Sequence, residues 1–248
     1  MSDPFSMPSS GDFHTTRWSV VMGACAAAPE ERRVQFGAFY RQYWPPLYSY
    51  ARRRGHNPHD AQDVTQDFFA RLLEGDWLST ADPARGRLRT LLLVMMKRFL
   101  ANQWDRAHAA KRGGGLSPVS LHGEEAEQIY LSAPGAAVLP DESLYDRSWA
   151  LTLMTAALAR LKIEHQQHGK MAEYELLKDC LTAERGEIDY VAVATHLRLL
   201  PATARSVVHR FRKRFREIFR EEVAATVASP ADEEDEMRAL LASLGRMG

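Results

Sequence analysis

Two cysteines in 248 residues, Cys25 and Cys180, are too few for a disulfide framework or a zinc ribbon. No run approaches the roughly 20 consecutive apolar residues that a membrane span needs. Residues 1–12 lack an apolar stretch flanked by positive charge, so no signal peptide is expected there. Strand signals are missing too: nowhere do apolar and polar residues alternate for long with β-branched enrichment. The glycine run Gly113-Gly114-Gly115 has no Gly-Lys-Ser/Thr after it and no strand before it, which excludes a phosphate-binding P-loop. Net charge is also absent, 32 basic residues being matched by 32 acidic ones. These absences leave an all-α, cytoplasmic chain with no membrane contact, and no cofactor, metal or catalytic residue is expected of it.

The neutrality hides segregation. Arg85 to Arg112 holds eight Lys/Arg against one acid, Asp105, and Arg198 to Arg220 holds eight against Glu217 alone. Acidic blocks surround them. Residues 57–84 carry six acids against Arg71, residues 113–147 six against Arg147, and residues 221–248 seven against two. Two cationic segments on a neutral chain suit a protein that meets a polyanion at two places. Solvated helix faces are the alternative that charge alone leaves open.

Apolar residues recur at helical spacing almost throughout. Phe36, Phe39/Tyr40, Tyr43, Leu47 and Tyr50 form one stripe, Val64, Phe68 and Leu72 a second, and Leu88, Leu91/Leu92, Met95 and Phe99 a third. Pro45-Pro46 is expected to break or kink the first helix, because proline lacks a backbone donor and clashes one turn back. Gly55 follows Arg52-Arg53-Arg54, a cationic helix end, and Asn57-Pro58 opens the next helix with Asp60 in its first turn. From Gly113 the composition shifts to Gly and Pro, so residues 113–147 read as a linker between helical units. Periodicity resumes with Trp149, Leu153, Ala157 and Leu161. The expected organisation is an N-terminal extension (1–29), a helical domain (30–112), the linker, a second helical domain (148–223) and an acidic tail (224–248).

The most informative stretch is Ile188 to Arg220. One helix carries Val193, Ala194 and Leu197, a short break follows at Arg198-Leu199-Leu200, and Pro201 opens the next helix at a favoured first position. Ala204, Val208, Phe211 and Phe215 would point inward, and Ala194 and Ala204 permit close approach of the two helices. The outward face offers Thr203, Arg205, Ser206, His209, Arg210 and Lys213. A helix of that character fits the major groove of B-DNA, its first turns reaching base edges and its flanks reaching phosphates. An ordinary helical hairpin with a basic solvent face is the competing reading.

Tyr190-x-x-Val193-Ala194-x-x-Leu197-x-Leu199 and Thr203-Ala204-Arg205-Ser206-x-Val208-His209-Arg210-x-Arg212-Lys213-Arg214-Phe215 resemble the C-terminal DNA-binding domain of bacterial extracytoplasmic-function (ECF) RNA polymerase sigma factors. Two positions depart from that pattern: Arg198 stands where the family usually has glycine, and Leu200 where it usually has a serine cap. A left-handed Arg198 would cost on the order of 1 kcal/mol, and a missing cap about the same. Upstream, Tyr40-x-x-Tyr43-Trp44-Pro45-x-Leu47-Tyr48-x-Tyr50-Ala51-Arg52-Arg53 and Asp60-Ala61-x-Asp63-Val64-x-Gln66-Asp67-x-Phe69-x-Arg71-Leu72 are similar to the sigma domain that binds the polymerase clamp.

The resemblance implies two helical domains, the second a helix-turn-helix, and a role in promoter-specific initiation by core RNA polymerase. It implies docking of Asp60, Asp63, Gln66 and Asp67 on the coiled coil of the β′ subunit, with the β subunit a second contact. It assigns the −10 element to Arg85, Arg87, Lys97, Arg98, Asn102, Trp104 and Arg106, with Arg89 a further phosphate contact. Aromatic and guanidinium planes there can hold unstacked bases at roughly 1–3 kcal/mol each. The −35 element falls to Thr203, Arg205, Ser206, His209, Arg210 and Lys213. Promoter DNA is the second partner, an anti-sigma factor a further candidate. By the same resemblance the linker acids Glu124, Glu125 and Glu127 would run near the polymerase channels as a nucleic-acid mimic.

Two rivals come from other classes. His59-Asp60 on a helical scaffold is similar to metal-dependent HD-type phosphohydrolases, which need a further histidine and aspartate; His14 and Asp105 are the nearby candidates, both in unsuitable contexts. A helix-turn-helix regulator acting without polymerase would explain the second basic block but not the acidic stripe.

Overall fold

The computed structural model describes residues 29–74, 82, 86–109, 123–131, 141–184 and 186–245, with backbone alone at 29–36, 38, 73, 74, 104–109 and 125. All regular elements among them are helical. They are α1 (Pro29–Arg53), α2 (Pro58–Glu74), α3 (Leu88–Ala109), α4 (Gly123–Leu131), α5 (Asp141–Gln167), α6 (Met171–Leu177), α7 (Tyr190–Leu197), α8 (Pro201–Ala224) and α9 (Glu233–Gly245), with short 3-10 turns at Lys178–Leu181 and Pro230–Asp232.

Most of the expected apolar stripe residues are buried; the Phe36 side chain lies outside the described residues, and Tyr40 and Leu91 are half-buried. Phe39, Tyr43, Leu47 and Tyr50 of α1, Val64, Phe68 and Leu72 of α2, and Leu88, Leu92 and Phe99 of α3 are all buried. Two details differ. In α3 the buried methionine is Met96, with Met95 half-buried, and Phe69 joins Phe68 in the core of α2. The rings of Phe68, Phe69 and Phe99 meet edge-on, Phe68 lying 5.8 Å from Phe69 and 5.7 Å from Phe99, a geometry favoured by the aromatic quadrupole.

Pro45-Pro46 does not end α1, which runs unbroken to Arg53. Tyr43, Trp44, Leu47 and Tyr48 around the prolines are all fully buried. Their burial offsets the two backbone hydrogen bonds that the prolines cannot make.

The stretch expected as a linker contains two helical pieces. Residues 113–122 and 132–140 lie outside the described residues, but 123–131 form α4 and 141–147 are the opening turns of α5. Ala126 and Ile129 of α4 are buried, and Glu127 is clamped to α1. Arg52 Nε and Nη2 donate to the two Glu127 oxygens at 2.9 Å each, and Tyr48 Oη donates at 2.6 Å. Gly and Pro at the ends of the segment mask these two helical pieces in a composition scan.

Helix α5, about 40 Å long at 1.5 Å per residue, is the spine of the molecule. Its first half lies on α1, where Trp149 stacks on Tyr43 with ring centroids 4.6 Å apart and planes 21° from parallel. Its second half lies on α8, where Arg160 bonds Glu221 and Glu222, and Glu164 receives a two-pronged hydrogen bond from Arg214. The expected inward residues Trp149, Leu153, Ala157 and Leu161 are fully buried. Among the described residues, one hydrophobic cluster runs from Phe39 of α1 through α5 to Phe211 of α8 and Leu240 of α9. The acidic tail is therefore a packed helix over 233–245.

Candidate nucleic-acid interface

Helices α7 and α8 build the first cationic surface. Asp189 caps α7, its Oδ1 accepting from the backbone N–H groups of Val191 and Ala192 at 3.0 and 2.9 Å. Arg198 ends α7 in the left-handed region, at φ 54° and ψ 46°. Its N–H and that of Leu199 bond back to the carbonyls of Thr195 and Ala194 at 3.2 and 2.8 Å, the pattern that usually recruits glycine. Leu200 precedes α8 with no side-chain cap, and Pro201 takes the first turn. Both departures noted from the sequence are present, and the three-residue turn forms nonetheless. Val193, Ala194, Ala204, Val208 and Phe211 are buried as expected; Val207 is an unforeseen addition, and Phe215 is half-buried.

The six outward residues of α8 sort by their partners. Thr203, Ser206, His209 and Arg210 are exposed. The Arg205 guanidinium lies 5.5 Å above the Tyr190 ring, a cation–π contact that holds it at the helix surface. Lys213 reaches Glu217 only at 3.8 Å and is well exposed, a pairing worth little. Arg205 and His209 also line a groove of about 160 Å³ with Tyr190, Val208, Arg212 and Arg216. Arg212 is structural: it donates to the carbonyls of Cys180, at 2.7 Å, and Ala183, tying α8 to the turn before α7. Hydrogen bonding to Glu164 pushes the Arg214 pKa up, and the same bond holds the Glu164 carboxyl below its ordinary range.

The second cationic surface, on α3, is largely neutralised from within. Arg87 Nε lies 2.8 Å from a Glu236 oxygen. Arg89, 7% exposed, donates from Nε to Glu236 at 2.7 Å and also bonds Asp146, while its carbonyl accepts from Tyr145 Oη at 2.9 Å. Burial pushes the Asp146 carboxyl above its ordinary value despite Arg89. Lys97 pairs with Glu142, and that hydrogen bond holds Glu142 low and Lys97 high. Arg98 and Asn102 are exposed. The side chains of Trp104 and Arg106, and all of Arg85, lie outside the described residues. The acids at 142, 146 and 236 were legible as blocks of opposite charge, but nothing in the sequence says which cation each one meets.

Helix α2 presents the acidic stripe. Asp60 and Asp67 are exposed, Asp63 and Gln66 half-buried, while Ala61, Val64, Phe68, Phe69 and Leu72 face the core. Asn57 begins the helix by accepting from the Asp60 N–H at 2.9 Å and donating to its carboxylate at 2.8 Å. His59 is exposed, its Nδ1 lying 3.2 Å from an Asp63 oxygen. No group of three or more His, Cys, Asp or Glu among the described residues is arranged to hold a metal. No described helix is long and apolar enough to cross a membrane.

This disposition has a counterpart among known families. Residues 39–109, from the middle of α1 to the end of α3, match the family Sigma-70 region 2. Over those residues the chain is similar to sigma region 2. That likeness is what supports reading the chain as an RNA polymerase sigma factor with a role in transcription initiation. Among curated proteins and among solved structures, nothing matches the chain. The matched residues run over most of α1, all of α2 and all of α3, with the acidic stripe on α2 and the paired cations at and in α3. Glu127, expected beside the polymerase channels, is tied to α1: burial alone would raise its pKa, but the Arg52 and Tyr48 hydrogen bonds hold it low.

Proposed function

We propose that the chain is an ECF-type sigma factor that binds core RNA polymerase and directs it to promoters through both the −10 and the −35 element. One observation carries this reading. A region 2 domain is followed, in the same chain, by a two-helix unit whose second helix exposes Thr203, Arg205, Ser206, His209 and Arg210. A single anchor to polymerase needs a second DNA contact to measure promoter spacing, and α8 has the charge and exposure for a major groove.

In this reading residues 30–112 dock polymerase and engage the −10 element, and residues 148–223 read the −35 element. Asp60, Asp63, Gln66 and Asp67 meet the β′ coiled coil as an anionic, amide-bearing stripe. Arg98 and Asn102 are the described −10 candidates without an internal ion pair; Trp104 and Arg106 complete the set for an extruded base. Lys213 supplies a phosphate contact beside the five −35 readers. The β subunit, an anti-sigma factor and a cytoplasmic setting belong to the same proposal. The protein performs no covalent chemistry; it supplies position and charge to the polymerase.

Reversing both Asp63→Lys and Asp67→Lys tests the docking face. Both residues reach solvent, so the fold is expected to survive, as read by the thermal midpoint. Co-purification with core polymerase should be abolished and promoter-specific transcripts lost. A folded double variant that still co-purifies would place the docking surface elsewhere.

A further inference from the structure

Helix α9 opens with four consecutive acids, Glu233 to Glu236. Glu234 and Asp235 are exposed, as such a cluster would be by default. Glu236 is not. Its side chain is 2% exposed, and its two oxygens lie 2.8 Å from Arg87 Nε and 2.7 Å from Arg89 Nε. Helix α5 completes the screen, Asp146 on Arg89 and Glu142 on Lys97. A guanidinium fork accepts a carboxylate and a phosphate in the same two-pronged manner. The Glu236 carboxylate thus engages two guanidinium groups at the start of α3, Arg87 just before the helix and Arg89 in its first turn, whose chemistry equally suits a phosphate.

The helix that brings this carboxylate in packs on α5 and α8, with Ser243 Oγ donating to the Asp146 carbonyl at 3.5 Å and Glu233 lying 3.9 Å from Arg220. One fully buried side chain, Leu240, and the half-buried Met237 and Leu244 seat it on the core. Arg147 adds a hydrogen bond to the Leu244 carbonyl at 3.2 Å. A non-helical bend at residues 225–229, in which Thr226 and Val227 are buried, and the 3-10 turn Pro230–Asp232 join α9 to α8, so displacing α9 has to work against that packing as well as the Glu236 pairs. The four adjacent acids repel one another, and the cations of α3 relieve that repulsion.

We propose that α9 is an internal latch. Glu236 stands in for a nucleic-acid phosphate on Arg87 and Arg89, and the free chain keeps the α3 face closed until single-stranded DNA displaces the helix. The proposal rests on the reading of α3 as a DNA face.

The test uses the full chain. Run-off transcription with core polymerase first establishes whether the wild type directs promoter-specific starts. Glu236→Gln then keeps the side-chain volume and removes its charge. Binding of a labelled single-stranded oligonucleotide, followed by fluorescence anisotropy, should tighten at least about fivefold. The salt slope should steepen by about 0.7, the contribution of one phosphate newly neutralised on a single strand. Hydrogen exchange of the wild type should show residues 233–245 losing protection when the oligonucleotide is added. A folded variant with unchanged or weaker affinity overturns the latch, as does undiminished protection of 233–245 with DNA bound. If the variant does not fold, the wild-type exchange decides alone. Transcripts without a latch effect refute the latch only; absence of promoter-specific transcripts from the wild type refutes the DNA-face reading, and the latch with it.

Discussion

Trp149→Ala probes the joint between α1 and the α7–α8 unit. Trp149 is fully buried in α5 and stacks on Tyr43 of α1 at 4.6 Å. Truncating a buried tryptophan costs about 3–5 kcal/mol, the lost transfer energy plus the cavity left behind. For a chain of this length that is a fall of roughly 6–20 °C in the thermal midpoint, at about 2–4 °C per kcal/mol. Because α5 continues from this contact to the Glu164–Arg214 and Arg160–Glu222 pairs on α8, the loss should reach both ends of the spine. Far-UV circular dichroism gives the midpoint, and hydrogen exchange resolved by segment shows where the loss falls. The prediction is a parallel loss of protection in α1 and α8. Trp149→Phe, which keeps a ring against Tyr43, should recover most of the stability. Two separate transitions, with α8 unmoved by Trp149→Ala, would refute the idea that α5 couples the two units.

Arg198→Gly should stabilise the chain by about 1 kcal/mol, because glycine adopts the left-handed conformation at φ 54° without a Cβ clash; a lower urea midpoint would contradict this. Arg210→Ala or Arg205→Ala should weaken binding to −35-bearing duplexes by about 1–3 kcal/mol, measured by anisotropy against a scrambled duplex, and equal affinity would remove α8 from promoter reading. Acid should destabilise the fold through Glu127, Glu142 and Glu164, whose carboxyls are held below the ordinary value of 4.5. Their folded forms bind protons more weakly than the unfolded chain, so their contribution is present above that value and lost as pH falls through the lowered ones. Glu164→Gln should make the fall of the thermal midpoint below about pH 4.5 shallower; an unchanged profile would show that the Arg214 pair is not responsible.

Much of the helical content was legible residue by residue. The core stripes of α1, α2, α5 and α8 follow directly from helical spacing, and the turn at Arg198 was located by Pro201 and the break in periodicity. The exceptions have local causes. Pro45-Pro46 reads as a break because propensity knows nothing of the fully buried aromatics on either side. Helix α4 was missed because nine residues between Gly- and Pro-rich stretches carry too little periodicity, and it is stabilised by Glu127 reaching Arg52, 75 positions away.

What this sequence determined by itself is which faces are apolar, which are charged, and where the chain turns, because those properties are set by neighbours within a few residues. Only the tertiary structure decided the fate of the charges. The cations of α8 largely face solvent, whereas Arg87, just before α3, and Arg89 and Lys97 within it are answered by Glu236, Asp146 and Glu142 from distant segments. Ion pairing depends on separation in space, and separation in space is fixed here by α5 and α9 packing on the core.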